Sequence, residues 1–185
     1  MIQSFITSMI GYCIICFPIY GVVRFFMMKN KPKNIKREIV MLLFFLYCVS
    51  IFSQTIVPQF WIENGRIVFD TGSFIRNNFV PFETISMYIR ELQGPIARIA
   101  FYNLAGNIVL FIPFGFFIAL LWPAFRSVWP MIIVAMLIPL FIEGTQLFIG
   151  RSVDIDDVFL NAIAIFGGYL LYTLFKRFMY FEAIK

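Results

Sequence analysis

The 185-residue sequence predicts an all-α integral membrane protein with about five transmembrane helices and one extracellular loop that carries a short interfacial helix. Hydrophobic residues make up 61% of the chain, against roughly 45–50% apolar residues in ordinary globular domains. Charged residues make up only 14% and the mean hydropathy is +0.87, which leaves too little polar surface to cover a water-soluble protein. At about 20 residues per membrane-spanning helix, the chain has room for five helices and one loop.

Composition also excludes several classes of function. The chain contains no histidine, which removes imidazole general bases, Ser-His-Asp triads and histidine-ligated zinc. The net charge of +5 is better explained by orientation in a membrane than by nucleic-acid binding, so we expect no nucleic-acid partner. The length leaves no space for a separate soluble catalytic domain, and any chemistry must lie in or beside the bilayer.

The order of apolar and polar segments predicts four regions. Residues 1–57 form two N-terminal transmembrane helices, at about 2–28 and 39–57, joined by a basic cytoplasmic loop. Residues 58–101 form the extracellular or interfacial loop, in which Asn64-Gly65 predicts a turn between two β-prone pieces and residues 84–92 show the spacing of an interfacial helix. Residues 102–176 form a three-helix core with spans at about 102–122, 129–149 and 155–175, and residues 177–185 form a cytoplasmic tail.

The distribution of lysine and arginine predicts the orientation of these spans. Placing the basic run at 29–38 inside leaves five basic residues outside, mostly in the long loop: Arg66, Arg76, Arg90, Arg98 and Arg151. The inside then holds Lys29, Lys31, Lys33, Lys36, Arg37, Arg126, Lys176, Arg177 and Lys185. The positive-inside rule therefore favours an external N-terminus and a cytoplasmic C-terminus.

Polar side chains in the last three spans are costly in lipid and are the first candidates for a functional site. The third span enters from outside, the fourth runs outward and the fifth begins outside, so these residues converge at one outer-leaflet level. The predicted ligand-binding residues are Asn103, Asn107, Glu143, Gln146, Arg151, Asp154, Asp157 and Asn161. On the fifth span, a stripe of polar and small residues suits the interior of a bundle: Asp154, Asp157, Asn161, Ala164 and Gly168.

Each of these residues also has a structural interpretation. Asp154 can be a helix N-cap with Asp157 in its first turn, where the helix dipole favours negative charge. Glu143 can form an ion pair with Arg151 across the turn, and the amides can simply hydrogen-bond between helices. If Glu143, Asp154 and Asp157 converge instead, a divalent cation such as Mg²⁺ or Ca²⁺ suits their all-oxygen set.

Four motifs in the second half of the chain resemble the VanZ-like family over about residues 78–172. They are Asn78-Phe79-Val80-Pro81-Phe82, the run from Asn103-Leu104-Ala105-Gly106-Asn107 to Pro113-Phe114-Gly115, Ile142-Glu143-Gly144-Thr145-Gln146, and Gly150-Arg151-Ser152-Val153-Asp154-Ile155-Asp156-Asp157 with Asn161 and Gly167. The combined spacing is far more specific than any one motif.

The resemblance implies a small, multi-pass protein of the bacterial plasma membrane, associated with low-level resistance to teicoplanin and related lipoglycopeptide antibiotics. It adds Pro81 and Phe82 to the ligand-binding candidates, either closing a pocket or anchoring the loop at the interface. The mechanism is not implied by the family, so two hypotheses stand.

The first hypothesis is an outer-leaflet polar pocket that binds or modifies a lipid-linked envelope component. Its partners would be membrane lipid and a lipid-linked or lipid-tailed amphiphile, either a cell-wall precursor or a lipoglycopeptide. The second is a metal-dependent intramembrane hydrolase or transferase acting on a lipid or cell-wall precursor, with Glu143, Asp154 and Asp157 as its catalytic residues. A transporter is disfavoured because the spans show no internal repeat.

Overall fold

The computed structural model describes residues 2–29, 34–57, 60–69 and 77–176. The chain forms two compact units, Met1–Ser73 and Phe74–Ala183. Lys31 and Lys33 of the predicted basic loop and the predicted tail at 177–185 lie outside the described residues.

The first unit is a helical hairpin followed by a β-hairpin. Its elements are α1 (Ile2–Met28), α2 (Ile35–Thr55), β1 (Phe60–Glu63) and β2 (Arg66–Phe69). The two helices run antiparallel: Arg24, near the end of α1, donates to Glu38, near the start of α2, at 2.6 and 2.7 Å. Toward the other end, the Cys13 thiol lies 3.7 Å from the carbonyl oxygen of Leu46.

The β-hairpin is the turn that the sequence predicts. Asn64 and Gly65 both have positive φ, 49° and 74°, which is the geometry of a two-residue turn whose twist matches antiparallel strands. Phe60 pairs with Phe69 across the strands. The Ser8 hydroxyl attaches this hairpin to α1, since it donates to the Phe60 carbonyl at 2.8 Å and accepts from the Phe60 N–H at 2.7 Å.

The second unit holds the remaining helices. They are α3 (Glu83–Glu91), α4 (Ala97–Leu121), α5 (Val128–Phe148) and α6 (Ile155–Phe175), with a short 3₁₀ turn at Pro123–Phe125 between α4 and α5. The helix predicted at 84–92 corresponds to α3, and its position at a membrane interface stays a prediction. Helix α6 is central, because it packs against both α4 and α5, whereas these two have little contact with each other.

Helices α4 and α6 approach closely at two glycines. A Cβ atom on Gly115 would overlap the Ile165 carbonyl oxygen, and one on Gly168 would overlap the Ile112 carbonyl oxygen. Ala164, one turn before Gly168, is also buried in this contact region of α6. The small-residue part of the predicted stripe therefore serves backbone-to-backbone packing, as small residues do between membrane helices.

Four helices in the described part of the chain are long and apolar enough to cross a membrane: α1, α4, α5 and α6. Their outer surfaces carry large exposed apolar side chains, including Trp129 and Phe148 at 76% and 91% exposure. The predicted span at 39–57 corresponds to α2 and is not confirmed as a fifth. Lys36, Arg37 and Glu38 lie in the first turns of α2 and shorten its apolar stretch.

Candidate functional site

The chain leading into α3 is attached to the chain leading into α6. The Asn78 N–H donates to the Val153 carbonyl at 2.8 Å, and the Ile155 N–H donates to the Asn78 carbonyl at 3.0 Å, which forms a parallel bridge between Asn78 and Asp154. The Asn77 side-chain oxygen accepts from the Val153 N–H at 3.1 Å. These backbone groups would otherwise be unpaired at the start of a helix.

Asp154 is the N-cap of α6. Its Oδ1 accepts from the Asp156 N–H at 2.9 Å and from the Asn78 side-chain amide at 3.0 Å. The same Asn78 amide donates to the Thr84 hydroxyl at 2.9 Å, which ties the cap to α3. The capping interpretation of Asp154 is therefore confirmed, and its side chain is committed to structure.

Asp156 caps a different helix from the one that contains it. Its side chain is fully buried, and its two oxygens accept from the Phe82 N–H at 2.5 Å and from the Ile85 N–H at 3.0 Å. Phe82 is the N-cap residue of α3 and has no side-chain cap of its own. Its φ of 65° is unusual for a bulky residue, and its ring stacks on Phe159 of α6 with the centroids 5.4 Å apart.

Sequence reasoning missed Asp156, Asn77 and Asn78 as structural members of this site. A sequence clue to Asp156 existed: α3 begins after Pro81-Phe82, with no Ser, Thr, Asp or Asn at the cap position, so its first N–H groups need an acceptor from elsewhere. The Phe82 ring stacks on Phe159 of α6, and its predicted role in closing a pocket or anchoring the loop stays a prediction. Pro81 is exposed.

Glu143 lies in the last turns of α5 and is only 6% exposed. Its Oε2 accepts from the Asp154 N–H at 3.0 Å. It forms no ion pair within residues 77–176, so the ion pair with Arg151 that the sequence left open is not formed. The contact with the Asp154 N–H brings the Glu143 carboxylate to the start of α6, whose first turn also contains Asp157.

Asp157 and Asn161 lie one turn apart on α6. Asp157 Oδ1 accepts from the Asn107 side-chain amide of α4 at 2.6 Å. Asn161 is 4% exposed, and its Oδ1 is buried with no hydrogen-bond partner in the described part of the chain. We call Asn107, Glu143, Asp157 and Asn161 the carboxylate–amide cluster.

Three other predicted binding residues lie outside this cluster. Asn103 is exposed and donates to the Ile99 carbonyl of its own helix at 2.9 Å, although it precedes Asn107 by one turn. Gln146 and Arg151 are half-buried, and the Arg151 N–H donates to the Gln146 carbonyl at 2.9 Å. This bond closes the turn after α5, at Gly150, where φ is 70°.

A family model described as VanZ/LLP1 matches residues 39–176, which include α2 from residue 39 onward and the whole carboxylate–amide cluster. The chain belongs to the VanZ/LLP1 family. This confirms the resemblance found in the sequence motifs. No curated protein and no solved structure matches the chain. Four apolar helices and this family membership together make the chain a multi-pass membrane protein.

Glu143, Asp154 and Asp157 are also the metal ligands that the sequence offers as candidates. In residues 2–29, 34–57, 60–69 and 77–176, no group of three or more His, Cys, Asp or Glu side chains could hold a metal ion. Asp154 Oδ1, one oxygen of the predicted Mg²⁺ or Ca²⁺ set, is already occupied by two N–H donors. The metal assignment of Glu143, Asp154 and Asp157 therefore gains no support, and the cluster is better suited to accepting hydrogen bonds.

Proposed function

We propose that this VanZ/LLP1 protein binds the polar headgroup of a lipid-linked or lipid-tailed amphiphile in its carboxylate–amide cluster. The observation that carries the proposal is Asn161, whose buried Oδ1 has no hydrogen-bond partner among the described residues and which lies one turn after the Asp157 carboxylate on α6. Leaving a buried acceptor unpaired costs about 1–3 kcal/mol. A ligand that donates a hydrogen bond to Asn161 Oδ1 would offset this cost.

The position of the cluster along the helices suits a headgroup. Asn161 lies six residues after the first residue of α6, roughly 9 Å along the axis at 1.5 Å per residue. Glu143 is similarly near the end of α5. An amphiphile could therefore place its polar group in the cluster and its tail along the exposed apolar faces of the helices.

The full proposal includes a membrane topology. Residues 39–57 add a fifth span, the N-terminus lies outside the bacterial plasma membrane, and the C-terminus lies in the cytoplasm. The cluster then faces the outer leaflet, with α3 lying at the external interface. Cell-wall precursors and the lipoglycopeptides themselves are both amphiphiles of this leaflet, so their capture would produce low-level resistance to teicoplanin.

Expression in a susceptible Gram-positive host tests the function. The wild type, Glu143→Gln and the control Glu83→Gln would be compared for teicoplanin sensitivity, with vancomycin as the comparison drug and the membrane level of each protein measured. Glu83 is an exposed acid of α3, so its substitution removes the same charge outside the cluster. We expect protection from the wild type and from Glu83→Gln but not from Glu143→Gln.

Equal protection by all three proteins at equal membrane levels would contradict the role of the cluster. Mass spectra of lipids and cell-wall precursors from the same cells separate binding from chemical modification. A new species that depends on Glu143 would replace the binding function with an enzymatic one.

A further inference from the structure

We infer that the group recognised by the carboxylate–amide cluster is a protonated primary amine carried by the amphiphile. The inference rests on the proposed function, because it concerns the headgroup of the same ligand. It comes from the hydrogen-bonding capacity that the cluster leaves unused and from the sign of its charge.

Most of the unused hydrogen-bonding positions of the cluster are acceptors. Glu143 and Asp157 each accept one hydrogen bond, through Oε2 and Oδ1, and no donor in the described residues reaches their second oxygens. The Asn161 side-chain N–H₂ group donates to no described residue, but Asn161 Oδ1 also accepts no hydrogen bond from one, which adds a further open acceptor. A ligand group that fills these positions must therefore supply N–H or O–H donors.

The charge of the cluster favours a cation over a neutral donor. Glu143 and Asp157 form no ion pair within residues 77–176, and Glu143 is buried while Asp157 is half-buried. Paired or metal-bound states are the usual ones for buried carboxylates, because an unpaired buried charge is costly. An ammonium group carries three N–H donors and no acceptor, so it can compensate the charge and fill the vacant acceptors together.

An anionic headgroup is disfavoured by the same geometry. Helix N-termini are the ordinary phosphate sites of proteins, and two of them lie beside the cluster, at α3 and α6. Both N-termini are already occupied by carboxylates, since Asp154 caps α6 and Asp156 caps α3. A phosphate would therefore find no free helix N-terminus there, and it would be repelled by the like charges of Glu143 and Asp157.

The spacing of the acceptors suits one small group. Asp157 and Asn161 are four residues apart on α6, a spacing that places Cβ atoms about 5–6 Å apart on one face. Glu143 of α5 accepts from the backbone N–H of Asp154, three residues before Asp157, at 3.0 Å. One ammonium between α5 and α6 would therefore lie beside Glu143 and Asp157, with Asn161 one turn further along α6.

The test measures lipid binding to the purified full-length protein by native mass spectrometry. The probes are phosphatidylethanolamine, its N-acetylated form and phosphatidylglycerol, with free ethanolamine as a competitor that separates a lipid headgroup from a soluble amine. We expect phosphatidylethanolamine to bind at least about tenfold more tightly than the N-acetylated lipid, since charge-assisted hydrogen bonds of this kind are lost on acetylation. Competition by millimolar free ethanolamine would identify the amine alone as sufficient.

Three variants keep the outcome interpretable. Asp157→Asn should bind phosphatidylethanolamine and its N-acetylated form about equally. Glu83→Gln should keep the wild-type preference for phosphatidylethanolamine. Asn161→Leu removes an unpaired acceptor rather than a structural bond, so it should fold even where Asp157→Asn does not, and it should weaken phosphatidylethanolamine binding.

Two results would overturn the inference in distinguishable ways. If both lipids bind the wild type equally and Asp157→Asn weakens both, the amine is wrong but headgroup binding in the cluster stands. If neither Asp157→Asn nor Asn161→Leu changes the binding of any probe, both the amine and the proposed function fail.

Discussion

Replacing Asp156 by alanine tests whether a cap supplied by α6 holds α3 in place. Helix α3 has nine residues, and an isolated helix shorter than about 12–15 residues is marginal in water. Its N-cap residue, Phe82, provides no side-chain acceptor. The carboxylate of Asp156 accepts two of the N–H groups at the start of α3, so its loss should release the helix.

The magnitude follows from the two hydrogen bonds. A bond to a charged partner contributes about 1.5–3 kcal/mol, so the loss of both in Asp156→Ala should cost about 3–6 kcal/mol of the free energy that holds α3. Asp156→Asn keeps one acceptor oxygen and should cost about half as much. A loss of 3 kcal/mol corresponds to about a 100-fold change in an opening equilibrium, at 1.4 kcal/mol per tenfold.

Hydrogen–deuterium exchange of residues 83–91 measures this opening directly. We expect their protection to fall about 100-fold or more in Asp156→Ala and less in Asp156→Asn. Glu83→Gln is the matched control: it removes an exposed charge from the first turn of α3, where the dipole contribution is only about 0.3–1 kcal/mol. Unchanged protection of α3 in a folded Asp156→Ala protein would refute the capping argument.

Three further predictions concern other parts of the chain. Asn161→Leu should raise the free energy of unfolding of the ligand-free protein by about 1–3 kcal/mol, because it removes an unpaired buried acceptor. A lower free energy of unfolding would instead indicate that Asn161 forms a hydrogen bond between helices. Gly168→Ala should cost about 1–3 kcal/mol in denaturant unfolding, because its Cβ would overlap the Ile112 carbonyl, whereas Gly167→Ala, with open space around it, should not destabilise. Gly65→Ala should destabilise the β-hairpin by about 1–2 kcal/mol because φ is 74°, measured as faster amide exchange in residues 60–69.

Local features of the fold could be predicted from the sequence because their causes are local. Asn64-Gly65 predicts a primed turn since both residues tolerate positive φ, and the structure has that turn. Asp154 directly precedes an apolar helix and is its N-cap. The small residues at Gly168 and Ala164 indicate a close helix contact, and α4 and α6 make it.

The sequence could not predict which polar residues cap helices and which contact a neighbouring helix, because this depends on how distant segments pack together. Asp156 and Asp157 are neighbours in sequence, yet one caps a helix more than 70 residues away and the other meets α4. Likewise Asn103 and Asn107 share one face of α4 by spacing. Only Asn107 reaches α6, while Asn103 bonds to its own helix.

These different roles give the two pairs of acidic residues different expected consequences for resistance. Asp154 and Asp156 accept backbone N–H groups at the starts of α6 and α3, so substituting them should lower the amount of folded protein in the membrane. Glu143 and Asp157 belong to the carboxylate–amide cluster, and Gln or Asn in their place keeps an oxygen that can accept the same hydrogen bond, so Glu143→Gln and Asp157→Asn should lower protection at a nearly unchanged protein level. Protection divided by membrane abundance therefore separates the two pairs. Parallel losses in that ratio for all four residues would mean that the cluster acts as a single structural unit, with no ligand to explain Asn161.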